Sequence, residues 1–92
     1  MQKRYHLFFS GSVQGVGFRY AARALADKYF INGWVANLPD ARVELEVEGQ
    51  KSDIDNFVSD LETEFKGYIT EVKKEELTPL NKKEGFHIKF IQ

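Results

Sequence analysis

Gly11-Ser12-Val13-Gln14-Gly15-Val16-Gly17-Phe18-Arg19 is the stretch at which the chain changes its period. Ahead of it, Tyr5 to Ser10 alternates by two, with Leu7 and Phe9 on one face and His6 and Phe8 on the other, the spacing of a strand. A strand apolar on both faces belongs inside a sheet. Behind it, Phe18, Ala22, Leu25 and Tyr29 form one helical stripe. Alanines at 21, 22, 24 and 26 favour helix and allow close packing on a sheet. Arg23, Asp27 and Lys28 then face water. Strand, glycine-bearing loop and helix open a βαβ unit.

The remaining elements follow outward from that unit. The helix is expected to stop near Phe30, with Asn32 or Gly33 supplying the positive-φ exit. Trp34 to Leu38 reads as a second strand, Pro39-Asp40-Ala41 as a turn, and Arg42 to Glu48 as a third strand. Val43, Leu45 and Val47 point inward, while Glu44, Glu46 and Glu48 point outward. That alternation suits an antiparallel sheet covered on one face and wet on the other. Ser52 to Phe65 is a second helix, opened by a variant capping box from Ser52 and Asp55 and closed by Gly67. Its buried stripe is Ile54, Phe57, Val58, Leu61 and Phe65. Ile69 to Leu77, rich in Lys and Glu, has the charge of an edge strand. A polar connector, Thr78 to Gly85, leads to a short strand in which Phe86, Ile88 and Phe90 alternate. The order βαββαβ plus a terminal strand is an α+β, ferredoxin-like pattern. Two helices cover one face of a largely antiparallel sheet of four to five strands.

Composition bounds the function. With 92 residues, a single domain spanning 1–92 is expected. A net charge of −1 supplies no basic field for nucleic acid. The absence of cysteine removes disulfides, thiol catalysis and thiolate metal sites. His6 and His87 fall in separate strands without ligand spacing, so no metal site is expected. No apolar run approaches the ~20 residues of a membrane span. The start, Met-Gln-Lys-Arg-Tyr, lacks the apolar stretch of a signal peptide, so a soluble cytoplasmic protein is expected, with a monomer as the simpler expectation for its assembly.

The loop carries the chemistry. Three glycines in seven residues let the backbone turn several N–H groups inward, forming an anion-binding concavity. The following helix adds its unpaired N–H groups and positive dipole end. Arg19 in the first turn opposes that dipole, an arrangement that makes sense around an anion, which a guanidinium grips in a fork. A P-loop is excluded because no lysine is present, and a dinucleotide fingerprint because Tyr20 stands where its third glycine belongs. Parallel strands one and two, with the third between them, bring Asn37 to the same sheet edge as the loop, two strand spacings or roughly 10 Å away.

The nonapeptide resembles the acylphosphatase signature G-x-V-Q-G-V-x-F-R at every fixed position. The resemblance continues at Gly33-Trp34-Val35-Ala36-Asn37, which is similar to G-W-V-x-N, and at Pro39-Asp40 and Glu48-Gly49. It spans essentially the whole chain. Departures are Phe30 and Ala41, where the family favours glycine, and Lys74, where it favours an apolar residue. The resemblance implies hydrolysis of acyl phosphates without metal, cofactor or phosphoenzyme. Arg19 and the N–H groups of Gly15, Val16, Gly17, Phe18 and Arg19 would hold the phosphoryl group, and Asn37 would orient the attacking water. Val13 and Gln14 would shape the loop. Inorganic phosphate or sulfate would bind as product-like ligands. The chemistry suits these groups, because the carboxylate leaving group has a conjugate acid of pKa about 4 and needs no general acid.

Three rivals share the fold. An RNA-binding module would stack bases on the open sheet face, where Glu44, Glu46 and Glu48 repel phosphates and Phe8 is the clearest platform on the first strand. A regulatory phosphate-ligand module would have lost turnover, yet Arg19 and Asn37 are both present. A carbamoyl-phosphate module of a larger maturation enzyme would continue into further domains, so a stand-alone hydrolase is the expectation.

Overall fold

The computed structural model describes residues 1–90. The elements run β1 (Gln2–Gly11), α1 (Phe18–Lys28), β2 (Asn32–Asn37), β3 (Val43–Gln50), α2 (Lys51–Glu64), β4 (Ile69–Leu77) and β5 (Phe86–Lys89). The sheet order is β4-β1-β3-β2-β5. β1 is antiparallel to both β3 and β4, β3 is antiparallel to β2, and β5 runs parallel to β2. This is the expected ferredoxin-like βαββαβ arrangement with five strands, the charged β4 at one edge and β5 at the other.

Alternation decides which face is covered. Leu7 and Phe9 of β1, Val35 of β2, and Val43, Leu45 and Val47 of β3 have no accessible surface. They meet Ala22 of α1 and Ile54, Phe57 and Leu61 of α2, which are equally inaccessible. Burying each large apolar side chain in this way stabilises the fold by about 1.5–3 kcal/mol. Phe18 anchors the start of α1, its ring 5.0 Å from Phe9 and 4.9 Å from Phe65. The ladder register sets the position of the site. Phe9 of β1 and Asn37 of β2 both pair with Val43 from opposite sides. The end of β1 and the end of β2 are therefore level at one edge of the sheet.

Three local expectations are corrected. The exit from α1 is made by Phe30, at φ 57°, and not by Asn32 or Gly33, which lie inside β2. The Ile31 N–H donates to the Ala26 carbonyl at 2.8 Å, the outer bond of a Schellman turn, and it needs a left-handed residue just before it. The Ser52–Asp55 capping box is absent, because α2 begins earlier, after Gln50, with no side-chain cap. The Lys51 N–H is met by the Met1 carbonyl at 3.0 Å, and Lys51 pairs with Asp55 one turn on at 2.8 Å. Lastly, the face away from the helices is not uniformly wet. Glu48 has no accessible surface and Arg4 only 3%. The connector between β4 and β5 crosses this end of the sheet and covers them. Glu48 accepts the N–H groups of Leu80 and Asn81, both at 2.8 Å, and Arg4 at 2.9 Å. Arg4 also pairs with Glu46, and with Glu84 at 3.4 Å.

Candidate active site

The loop between β1 and α1 is held from below by Val13, fully buried, and Phe18, 2% exposed. These two apolar anchors leave the segment between them raised at the surface. Gly15 and Gly17 take φ of 76° and 85°, the left-handed region in which a side chain is strained. A Cβ at either glycine would meet nothing within 4 Å. Backbone conformation, not crowding, is therefore what these positions demand, and the space above them stays open.

Among the described residues, the Ser12 N–H at the foot of the loop donates to the Tyr68 carbonyl at 2.8 Å, and the next loop or first-turn N–H with a backbone partner is that of Ala21, bonded to the Gly17 carbonyl at 3.0 Å. Gly17 caps α1 without a side-chain hydrogen bond, and no acidic residue lies in the first turn. The helix thus presents its positive end uncompensated. Arg19 is added to that end, and the ion pairs among the described residues use Arg4 and Arg42 but not Arg19. Two positive features stand side by side, and among the described residues no carboxylate pairs with Arg19.

Gly15, Gly17, Arg19 and Asn37 line one cavity of about 170 Å³, with Val13, Phe18 and Tyr20 completing it. Four of the expected phosphate-site residues and Asn37 are therefore brought together; Val16 is on the same loop, at 36% exposure. Asn37 shares the inward parity of Val35, and its amide makes no hydrogen bond among the described residues. The turn after β2 is instead closed by Asp40, which accepts the Arg42 N–H at 3.2 Å and its Nε at 2.9 Å. The Arg42 N–H above all holds the Asp40 carboxyl below its usual pKa; burial opposes it, and the Arg42 guanidinium adds to the lowering. Wider depressions exist beside Phe8 and beside Phe30, of about 340 and 440 Å³, but neither sets an arginine against unpartnered backbone N–H groups.

Gln14 ties the halves of the site together. Its Nε2 donates to the Leu38 carbonyl at 2.8 Å and the Arg42 carbonyl at 3.0 Å. The loop is thereby fastened to the turn that follows Asn37. The residue type was legible as loop-shaping, but its partners are remote in sequence and were not. Two further neighbours escaped the sequence reading. Tyr20 lines the cavity, and the Arg19 guanidinium carbon lies 5.5 Å from the Phe90 ring centre. The parallel pairing of Ala36 with Lys89 carries Phe90 next to the level of Asn37, a placement that alternation within β5 alone could not give.

Comparison with known proteins decides the family. The family model described as Acylphosphatase matches residues 5–88. The chain belongs to the acylphosphatase family. It is 36% identical over 91 residues to the Bacillus licheniformis acylphosphatase, covering 95% of this chain and 98% of that one. The crystal structure of the Bacillus subtilis acylphosphatase superposes with a TM-score of 0.85 at 36% identity, over 96% and 98% of the two chains. Full-length HypF, solved in a phosphate- and nucleotide-bound form, contains a similar region: TM-score 0.82, 30% identity, 96% of this chain but 12% of that one. The acylphosphatase reading makes this chain an enzyme of the hydrolase class. No helix among the described residues is long and apolar enough to cross a membrane.

Proposed function

We propose that this acylphosphatase-family enzyme cleaves the carboxyl–phosphate anhydride bond of small acyl phosphates through the Arg19–Asn37 cavity. The phosphoryl oxygens lie against the N–H groups of residues 15–19 and the Arg19 fork. A water held by the Asn37 side chain attacks phosphorus opposite the acyl oxygen. The new P–O bond forms as the P–O(acyl) bond breaks, and its electron pair leaves with the carboxylate. Inorganic phosphate is the second product, and the water's proton passes to phosphate or solvent. Positioning and charge stabilisation suffice for such a transfer when the leaving group is this good.

The observation that carries the reading is the convergence of three groups from separate segments on one cavity: unpartnered loop N–H groups, an arginine outside the recorded ion pairs, and an amide with no turn to cap. The test compares acetyl phosphate with a phosphate monoester in wild type and variants. Wild type is expected to prefer the anhydride by orders of magnitude. Arg19→Ala weakens inhibition by inorganic phosphate and lowers turnover together, and Arg19→Lys does not restore them, since lysine has no fork. Asn37→Ala lowers kcat by about 10²-fold or more while phosphate inhibition stays within about twofold. Full activity in Arg19→Ala and Asn37→Ala would remove the site from the mechanism.

A further inference from the structure

The sheet face turned away from the helices carries a second set of groups. Phe8 and His6 of β1 and Trp34 of β2 are half-buried there and take no part in the core cluster. Their rings form a chain, Phe8 to His6 at 4.5 Å between centres and His6 to Trp34 at 6.4 Å. His6 and Trp34 pair with Glu46 from opposite sides, so the chain spans two strand spacings, roughly 10 Å. A depression of about 340 Å³ lies beside Phe8 and His6 against β4, and it shares no lining residue with the catalytic cavity. Charge on this face is arranged around the rings. The glutamates of β3, whose alternation set them against a phosphate here, are engaged: Glu44 lies 2.6 Å from His6 Nε2, and Glu46 and Glu48 pair with Arg4. The Arg42 guanidinium carbon sits 4.6 Å from the Phe8 ring centre, and Lys89 Nζ 4.4 Å from that of Trp34. Lys73 stands opposite Phe8 in the ladder and is exposed. Among the described residues neither Lys73 nor Lys89 has a carboxylate partner.

We infer that this open face binds a short single strand of nucleic acid, with two successive bases laid on the Phe8–His6 pair and on Trp34. A row of ring faces with a cation at each end matches flat bases joined by phosphates. One base cannot cover a run of roughly 10 Å, so a strand fits better than a free nucleotide. Lys73 and Lys89 stand at the two flanks, where the backbone passes beside each base. A lysine resting on an exposed ring is held more weakly than a base stacked on it, so Lys89 moves from Trp34 to a phosphate as the base arrives. Glu71 and Glu75, level with Ser10 and His6 on β4, confine the phosphates to Lys73 between them. A net charge of −1 adds no long-range steering, so attachment is local and depends on few phosphates. The competing occupant is a second copy of the chain pressing its own rings on these; the lysines and glutamates around them disfavour so dry a contact.

Trp34 is the only tryptophan in the chain, so its fluorescence reports on this face directly. The protein is titrated with an oligoadenylate octamer, with AMP and with ribose 5-phosphate, inorganic phosphate being present in excess to fill the loop cavity. The octamer is expected to quench Trp34 and to bind about tenfold or more tighter than AMP, and ribose 5-phosphate to leave the signal unchanged. Octamer affinity should fall with salt along a log–log slope of about −1.4, from two phosphate contacts at about −0.7 each. Phe8→Ala should weaken octamer binding about tenfold, and Phe8→Tyr should keep it, since a ring face is what stacks. Lys73→Gln should reduce the slope by about 0.7. Phe8 and Lys73 lie outside the core cluster, and thermal unfolding checks that each variant is folded; the exposed Lys73 serves if truncation of Phe8 is not tolerated. No quenching by the octamer, equal affinity for AMP, or a signal seen only when inorganic phosphate is left out, which would place the ligand in the loop cavity, would overturn the inference. So would a dimer in sedimentation that Phe8→Ala dissociates.

Discussion

Phe30 and Ala41 occupy left-handed backbone, at φ 57° and 78°. A residue with a Cβ pays about 1–2 kcal/mol there, partly offset by the freedom that glycine would add to the unfolded chain. Phe30→Gly and Ala41→Gly should each stabilise the protein by about 0.5–1 kcal/mol. For a domain of this size that is a melting-temperature rise of roughly 2–8 °C, read by thermal unfolding. Phe30 is 82% exposed, so little packing is lost with its ring. The sequence flagged both positions as places where the family favours glycine, but only the dihedral angles show that each residue bears the strain itself. At the same scale, Asn37 was identifiable because its neighbours Gly33 and Trp34 mark the motif. Tyr20 and Phe90 were not, because an exposed aromatic on a helix or at a strand end carries no signal until its neighbours in space are known.

Elements cooperate through two ties that cross the sheet. Gln14 binds the phosphate loop to the turn after β2 through the Leu38 and Arg42 carbonyls. Gln14→Leu keeps the volume and removes the donors. It should lower kcat about tenfold, with a smaller change in phosphate inhibition, because the cradle persists while its alignment with Asn37 loosens; equal loss in both would mark collapse of the whole loop. The second tie is Glu48. Burial raises its carboxyl pKa, but the N–H groups of Leu80 and Asn81 with Arg4 and Gln2 outweigh this, and the net direction is downward. The folded value lies below that of an unfolded glutamate, about 4.3. Its contribution is therefore complete above that value and is lost as pH falls through the lower folded one. Glu48→Gln should shallow the acid limb of the stability profile and, by weakening the hydrogen bonds that Leu80, Asn81 and Arg4 make to a charged acceptor, destabilise by about 1–3 kcal/mol at neutral pH, Arg4 keeping Glu46 and Glu84 as partners. Denaturant unfolding between pH 2 and 7 checks both. Strict alternation in β3 made Glu48 look like its partly exposed neighbours Glu44 and Glu46. What the pattern could not express is the connector lying across that end of the sheet.

At the scale of the molecule, the period change around Gly11–Arg19 was enough to order the elements, since a strand, a loop and a helix admit few ways of covering one sheet face. The topology follows from handedness and alternation, and the level ends of β1 and β2 follow from the topology. Phe57, without accessible surface, lies where α2 meets the rest of the core, and its ring is 6.1 Å from that of Phe86 in β5. Phe57→Ala should remove about 3–5 kcal/mol, much of a typical total of 5–15 kcal/mol, in one cooperative transition seen alike by fluorescence and circular dichroism. One asymmetry remains. β5 adds only four residues to the sheet, through β2, and the chain reaches it by the segment clasped to Glu48. Mild acid or a lesion at that carboxylate should let this margin fray before the centre yields, while Arg19 and the glycine turn stay in place. The enzyme would then still grasp phosphate, its cradle outlasting the loosening of a margin that starts at the opposite end of the sheet.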